Sequence, residues 1–125
     1  MGDEKTMHIG EVAERTSLSL RTLRHYDDIG LIVPSGRTDG GFRLYTEADA
    51  ARIMLVRRMK PLGYSLEQMR DLLRVLDAAD AADADDSTAA QTVLRDFRAD
   101  AAERRDRLAK QLDMADEFLE QLDRI

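Results

Sequence analysis

Basic and aromatic side chains concentrate between residues 21 and 45, and they carry the chemistry that stands out in this sequence. The set comprises Arg21, Arg24, His25, Tyr26, Arg37, Arg43 and Tyr45. Guanidinium groups pair with phosphate oxygens and with the edge of guanine, and tyrosine hydroxyls donate to phosphate. These residue types therefore favour recognition of double-stranded DNA.

A helix over residues 20–29 would divide its side chains between two faces. The inward face would hold Leu20, Leu23 and Ile29. The outward face, built by steps of four and three residues, would hold Arg21, His25 and Asp28. Arg21 and Thr22 fall in the first turn, which a recognition helix presents to base edges. We expect Arg21 to contact bases.

The other basic and aromatic residues are expected to hold the DNA backbone. Arg24 and Tyr26 lie at the rim of the outward face, where their donors fix register without reading sequence. Turn residues followed by alternating side chains predict a β-hairpin wing over residues 35–45. The wing would hold flanking phosphates through Arg37, Arg43 and Tyr45.

The segments on either side predict a helix-turn-helix. Apolar spacing between Ile9 and Ala13 predicts a first helix that ends near Ser17, after an extended lead-in at residues 7–8. Ser19 stands at the N-cap of the second helix, and Gly30 ends it. Two short helices joined by about three residues form such a motif.

Two capping patterns predict a third and a fourth helix. The first is Thr46–Asp49, and Pro61 and Gly63 end the helix that it opens. The second is Ser65–Gln68, whose helix continues through leucines to Leu76. The expected head is therefore a winged helix-turn-helix domain with four helices and a small hairpin.

The remaining chain changes in composition. Residues 77–87 form an acidic Ala/Asp stretch, which we interpret as a spacer between a DNA-binding domain at 1–76 and a dimerisation helix at 88–125. That helix is expected to begin at Thr88 and to carry an approximate heptad seam. The seam comprises Leu94, Phe97, Ala101, Leu108, Leu112, Ala115, Leu119 and Leu122. A second copy of the chain would cover it most economically.

The net charge of −6 conceals an uneven distribution. Residues 77–125 hold 7 basic and 14 acidic side chains, whereas residues 15–60 hold nine basic and five acidic ones. The basic patch thus coincides with the expected DNA-binding residues. The chain has no cysteine, two separated histidines and no catalytic constellation, so we expect no metal, no cofactor and no enzyme activity. The lack of a long apolar run predicts a cytoplasmic protein without membrane contact.

Five blocks of this sequence resemble the MerR family of bacterial regulators, in the family's order and spacing over about residues 7–76. The blocks are Ile9–Ala13, Ser19–Tyr26, Gly30–Leu31, Gly40–Tyr45 and Leu62–Ser65. The resemblance implies a mainly α fold, a homodimer joined by an antiparallel coiled coil, and a near-palindromic operator between promoter elements. It also implies activation by distortion of the promoter spacer, so that RNA polymerase engages both elements.

The resemblance also implies roles by position. Arg21 would face bases, and His25 replaces an aromatic residue that many members have. Phosphate contacts would come from Arg24, Tyr26, Arg37, Arg43 and, in a second wing, Lys60.

Other functions and several signals stay open at this point. One alternative is an architectural DNA-bending or recombination accessory factor, and another is an adaptor whose coil pairs with an unrelated helix. Because the chain lacks cysteines and ends at Ile125, we expect neither the metal- and redox-sensing nor the drug-sensing mode of the family. A small-molecule effector, a protein effector or control by abundance remain as signals.

Overall fold

The computed structural model describes residues 5–81 and 84–125, and its elements are mainly helical. They are β1 (Thr6–His8), α1 (Ile9–Thr16), α2 (Leu20–Asp28), β2 (Gly36–Arg37), β3 (Arg43–Thr46), α3 (Glu47–Met59), α4 (Leu66–Ala81) and α5 (Ala84–Asp123). The expected winged helix-turn-helix head and long C-terminal helix are confirmed. The chain divides into two compact units, with the boundary after Arg70.

The first unit is built around the helix-turn-helix. α1 and α2 are joined through Ser17, which adopts a left-handed conformation with φ of 59°. Ser19 caps α2 by accepting a hydrogen bond from the backbone N–H of Thr22, as predicted. The core of the unit consists of side chains that are almost completely buried: Val12, Leu23, Tyr45, Ile53 and Val56.

The wing belongs to a three-stranded antiparallel sheet with the order β1-β3-β2. β2 and β3 form the expected hairpin, in which Arg37 pairs with Arg43. The extended lead-in that the sequence indicated is a third strand, because Met7 pairs with Tyr45 on the other edge of β3. The wing is therefore attached to the start of α1 as well as to α3.

Both predicted capping patterns are present. The Thr46 side chain accepts from the backbone of Asp49, and the Asp49 carboxylate accepts from the backbone of Thr46. Ser65 and Gln68 make the same reciprocal pair at the start of α4. α3 ends at Met59, and a 3-10 turn over Lys60–Leu62 leads to Gly63 in a left-handed conformation.

The second unit differs from the expectation around the acidic stretch. α4 continues to Ala81 and α5 begins at Ala84, so the predicted helix start at Thr88 is wrong. Alanine supplies five of the eleven residues of this stretch and has the strongest intrinsic helix propensity, which explains the difference. Residues 82–83 lie outside the described residues. The predicted domain boundaries at 76 and 88 stay predictions.

The two halves of α5 differ in exposure. Near its start Ala90 is buried, and Leu94 and Phe97 are half-buried. From Arg105 onward every residue is exposed, although the helix remains regular to Asp123. At 1.5 Å per residue its 40 residues measure about 60 Å. None of the helices over the described ranges combines the length and apolar composition that a membrane span requires.

Candidate nucleic-acid interface

The outer face of α2 is basic and open to solvent. Its exposed side chains are Arg21, Arg24, His25 and Asp28. Leu23 is buried on the opposite side, which agrees with the predicted division. The predicted inward position of Leu20 is wrong, because 39% of this residue is exposed at the first turn.

The two tyrosines of the predicted site both contribute to the core. Tyr26 and Tyr45 are buried, and this burial raises the pKa of both phenols. Tyr45 is only 1% exposed, and its hydroxyl has no hydrogen-bond partner among the described residues. This conformation therefore does not offer the Tyr45 hydroxyl to DNA, and the predicted contact stays a prediction.

A single carboxylate links α2 to the wing. Oδ2 of Asp27 accepts from the Nε of Arg43 at 2.7 Å and from a terminal nitrogen of Arg37 at 2.9 Å. We call these three residues the Asp27 bridge. Burial, which leaves the Asp27 side chain 11% exposed, would raise its pKa, but the hydrogen bonds and charges of the two arginines outweigh it and lower the pKa.

The Asp27 bridge determines the orientation of the two wing arginines and which of their nitrogens are bonded. Arg37 also contacts the carbonyl of Gly41 at 3.4 Å, so this side chain is held along the hairpin. Arg43 uses its Nε, and the guanidinium retains four further N–H donors on its terminal nitrogens. The hydrogen bond to Asp27 raises the pKa of Arg43, which keeps the guanidinium charged. Arg43 is thus both fixed and able to bind an anion.

A second carboxylate holds the base of the wing. Oδ2 of Asp49 accepts from the backbone N–H of Ser35 at 3.1 Å, from the Ser35 hydroxyl at 2.6 Å and from the backbone N–H of Thr46 at 2.9 Å. Ser35 precedes β2 and Thr46 ends β3, so the two ends of the hairpin meet at one side chain.

The C-terminal end of α2 is also anchored. A terminal nitrogen of Arg70, in the second turn of α4, donates to the carbonyl of Ile29. Ile29 is the C-cap of α2, where a cation stabilises the unsatisfied carbonyls and the negative end of the helix dipole. α2 is therefore held at its C-terminal end by a residue far away in sequence.

A further basic surface lies where α3 ends. Three exposed side chains and a proline line a shallow depression: Arg57, Arg58, Lys60 and Pro61. The sequence assigned a role only to Lys60. The missing signal was the exposure of Arg57 and Arg58 at the end of a helix whose apolar side faces the core. The described part of the chain contains no cluster of three or more His, Asp or Glu side chains suited to a metal ion.

The structure brings together some of the predicted residues and leaves others apart. The Asp27 bridge joins Arg37 and Arg43 of the wing to the helix that carries Arg21 and Arg24. Asp27 itself was absent from the predicted site. An exposed basic helix in a helix-turn-helix, flanked by an ordered basic wing, defines the class of winged helix-turn-helix DNA-binding domains.

The sequence matches the family described as "MerR HTH family regulatory protein" over residues 7–76. The regulator HmrR from Rhizobium leguminosarum bv. viciae is 37% identical over 91 residues, which cover 73% of this chain and 70% of HmrR. The chain belongs to the MerR family, a family of transcription regulators and not of enzymes.

Other relatives are longer than this chain. The HTH-type transcriptional activator mta from Bacillus subtilis is 42% identical over 65 residues, or 52% of this chain. The matched segment spans about a quarter of mta and of the nodulation protein NolA from Bradyrhizobium elkanii.

Among solved structures, one similar protein is HiNmlR, described as a MerR family regulator lacking the sensor domain, bound to promoter DNA. It superposes with a TM-score of 0.69 at 25% identity, over 92% of this chain and 88% of HiNmlR.

Proposed function

We propose that this protein is a sequence-specific transcription regulator that binds a near-palindromic operator as a homodimer and activates transcription by distorting the promoter spacer. The observation that carries the proposal is the basic outer face of α2 beside a wing whose arginines are fixed by Asp27. Base reading is assigned to Arg21, in the first turn of α2, with Thr22 beside it.

Three surfaces would hold DNA phosphates on either side of these base-reading residues. They are the rim of α2, the wing and the end of α3, and their side chains are Arg24, His25, Tyr26, Arg37, Arg43, Arg57, Arg58 and Lys60. Tyr26 is the least accessible of these, because its ring is buried. Contacts spread over several phosphates would fix register and make affinity dependent on salt.

The proposal of a homodimer rests on the outer half of α5. This half exposes large apolar residues that its own chain leaves uncovered: Leu108, Leu112, Met114, Phe118, Leu119 and Leu122. Four of them belong to the predicted seam, and Met114 and Phe118 widen it. An antiparallel pairing of two such helices would bury both faces, and a two-fold dimer calls for a palindromic site.

The proposal of activation draws support from the relative mta, whose name describes it as a transcriptional activator. Bending and untwisting DNA costs a few kcal/mol, on the order of 1–6 for a short site, and contacts along the bent backbone must offset this cost. Two copies of the three basic surfaces would supply such contacts. RNA polymerase is the proposed partner at the distorted promoter, and we propose a cytoplasmic location on the same ground.

A footprint of the purified protein on the DNA upstream of its own gene tests the proposal. We expect protection between the promoter elements, with affinity that falls steeply as salt rises. The double variant Arg21→Ala/Arg24→Ala should lose the footprint, whereas Arg98→Ala, an exposed arginine of α5, should retain it. Protection at recombination ends would support an architectural factor instead, and no protection at low salt would contradict the proposal.

A further inference from the structure

The tip of the wing carries an exposed aromatic side chain that none of the roles above uses. Phe42 is 69% exposed, whereas the other aromatic residues of the first unit, Tyr26, Tyr45 and Tyr64, are buried. A single exposed apolar residue is ordinary on a protein surface. The position and support of Phe42 are the features that call for an explanation.

The backbone around Phe42 is held by a compact turn. Thr38 donates its backbone N–H to the carbonyl of Phe42 at 2.9 Å, and its hydroxyl accepts from the backbone N–H of Phe42 at 3.1 Å. Gly41, with φ of 85°, also donates to the carbonyl of Thr38. The ring of Phe42 lies beside Gly40, where a β-carbon would be 3.4 Å from it, in van der Waals contact. The ring is thus presented from an ordered support.

The charges next to Phe42 indicate which surface it would meet. Arg43 is its neighbour in the chain, and Arg37 pairs with Arg43 across the hairpin. Both arginines are bound to Asp27 of α2. The turn that carries Phe42 connects these two paired residues, so it forms the end of the hairpin that is farther from α2. With α2 in the major groove and these arginines on the phosphates, the adjacent surface is the minor groove.

We propose that Phe42 is a DNA-contacting residue that packs its ring into the minor groove beside the phosphates held by Arg43. Apolar wedges of this kind pack on sugars or enter a base step and favour bent DNA. The proposal rests on the proposed function, since it requires that the protein bind duplex DNA. It adds a contact whose chemistry is apolar, in a site otherwise built from cations.

The apolar nature of this contact allows a sharp test. Phe42→Ala should weaken operator binding about fivefold to tenfold, in keeping with loss of a partly buried aromatic ring. The slope of log Kd against log salt should stay unchanged, because no counterion release is lost. Arg43→Ala is the matched comparison, and its slope should fall by about one. Phe42→Tyr keeps the ring and should bind nearly as the wild type does.

A fluorescence experiment tests the location of the ring directly. The chain contains no tryptophan, so Phe42→Trp introduces a single reporter at the wing tip. Its emission should shift or be quenched when the operator duplex is added to the preformed dimer. Ala102→Trp, at an exposed position of α5 outside the proposed dimer interface, is the control and should not respond to DNA.

The outcomes separate the two proposals. If the wild type fails to bind DNA, the proposed function itself is wrong. If the wild type binds but Phe42→Ala binds equally well and the Phe42→Trp emission is unchanged, Phe42 does not touch DNA and serves another surface. Because Phe42 lies outside the core, its variants should unfold at the same temperature as the wild type, which excludes misfolding as the cause.

Discussion

The two units of this chain differ in where their side chains find partners. In the first unit the wing arginines and the helix caps find partners within the chain, and most of the large apolar residues are buried or half-buried. In the second unit the outer half of α5 exposes a continuous apolar face. An exposed apolar face of this extent marks an interaction surface. The first unit therefore buries its core within one chain, whereas the outer half of α5 carries the surface that we propose as the dimer interface.

The largest expected effect comes from a substitution in the proposed dimer interface of the second unit. Leu112→Asp places a charge in the proposed interface and should weaken dimerisation by about 3–5 kcal/mol, because the charge would be buried without a partner. Analytical ultracentrifugation should then show monomers, and operator binding should fall with dimerisation. Ala102→Asp adds the same charge on another side of α5 and should remain dimeric. If both variants remain dimeric, the interface lies elsewhere on the chain.

The next effect concerns the internal completeness of the first unit. Asp27→Asn removes the charge that holds both wing arginines and should lower the free energy of unfolding by about 1–2 kcal/mol. Chemical denaturation measures this change. Asp28→Asn, the exposed neighbour, should have little effect. Equal losses from the two variants would mean that the Asp27 bridge contributes nothing specific.

The contribution of Asp27 to stability should also depend on pH. Its pKa is lowered in the folded protein, so the contribution is complete above the unfolded pKa, near 3.8, and is lost as the pH falls through the folded pKa. The difference in unfolding free energy between wild type and Asp27→Asn should stay constant from neutral pH to about 5 and shrink below about 4. A difference that persists unchanged in stronger acid would contradict the bridge.

Two variants with effects of similar size test the division of roles between Arg21 and Arg43. Arg21→Ala should cost about 1–3 kcal/mol of binding at the preferred operator and little elsewhere, since it removes a base contact. Arg43→Ala should weaken binding to all sequences and flatten the salt dependence. Titrations against operator and scrambled duplexes at several salt concentrations measure both. If the two variants behave alike, the assignment of base reading to α2 and phosphate contact to the wing is wrong.

The smallest effect tests a single cap. Ser19→Ala removes the acceptor for the N–H of Thr22 and should lower the free energy of unfolding by about 1 kcal/mol. Ser19→Gly should lower the free energy of unfolding by only about a few tenths of a kcal/mol, because glycine is tolerated at an N-cap. Thermal unfolding of the two variants provides the comparison. An Ala variant as stable as the wild type would show that the cap is dispensable.

Local signals in the sequence predict much of the first unit. Ser19, Thr46 and Ser65 each bind backbone within three residues, so their patterns are visible without tertiary structure. The apolar spacing of α1 and α2 indicates their buried sides for the same reason. Leu20 is the exception, because its spacing places it on the buried side of α2 and yet 39% of the residue is exposed.

The contacts that organise the site are long-range, and local patterns do not encode them. Asp27 lies 16 residues from Arg43, and Arg70 lies 41 residues from Ile29. Neither distance has a periodicity that a sequence could reveal. The third strand was missed for a related reason, because three residues of β1 carry too little pattern to specify a partner. Composition misled about the start of α5, because the acidic charge of this stretch obscured the helix propensity of its alanines.

The carboxylate of Asp49 has a consequence for how the wing meets a ligand. Because Ser35 and Thr46 both donate to the same oxygen of Asp49, the hairpin is a short closed loop that is already ordered in the free protein. Association then loses little chain freedom at the wing. We expect a heat-capacity change on binding that matches the buried contact surface, without the larger change that accompanies folding upon binding.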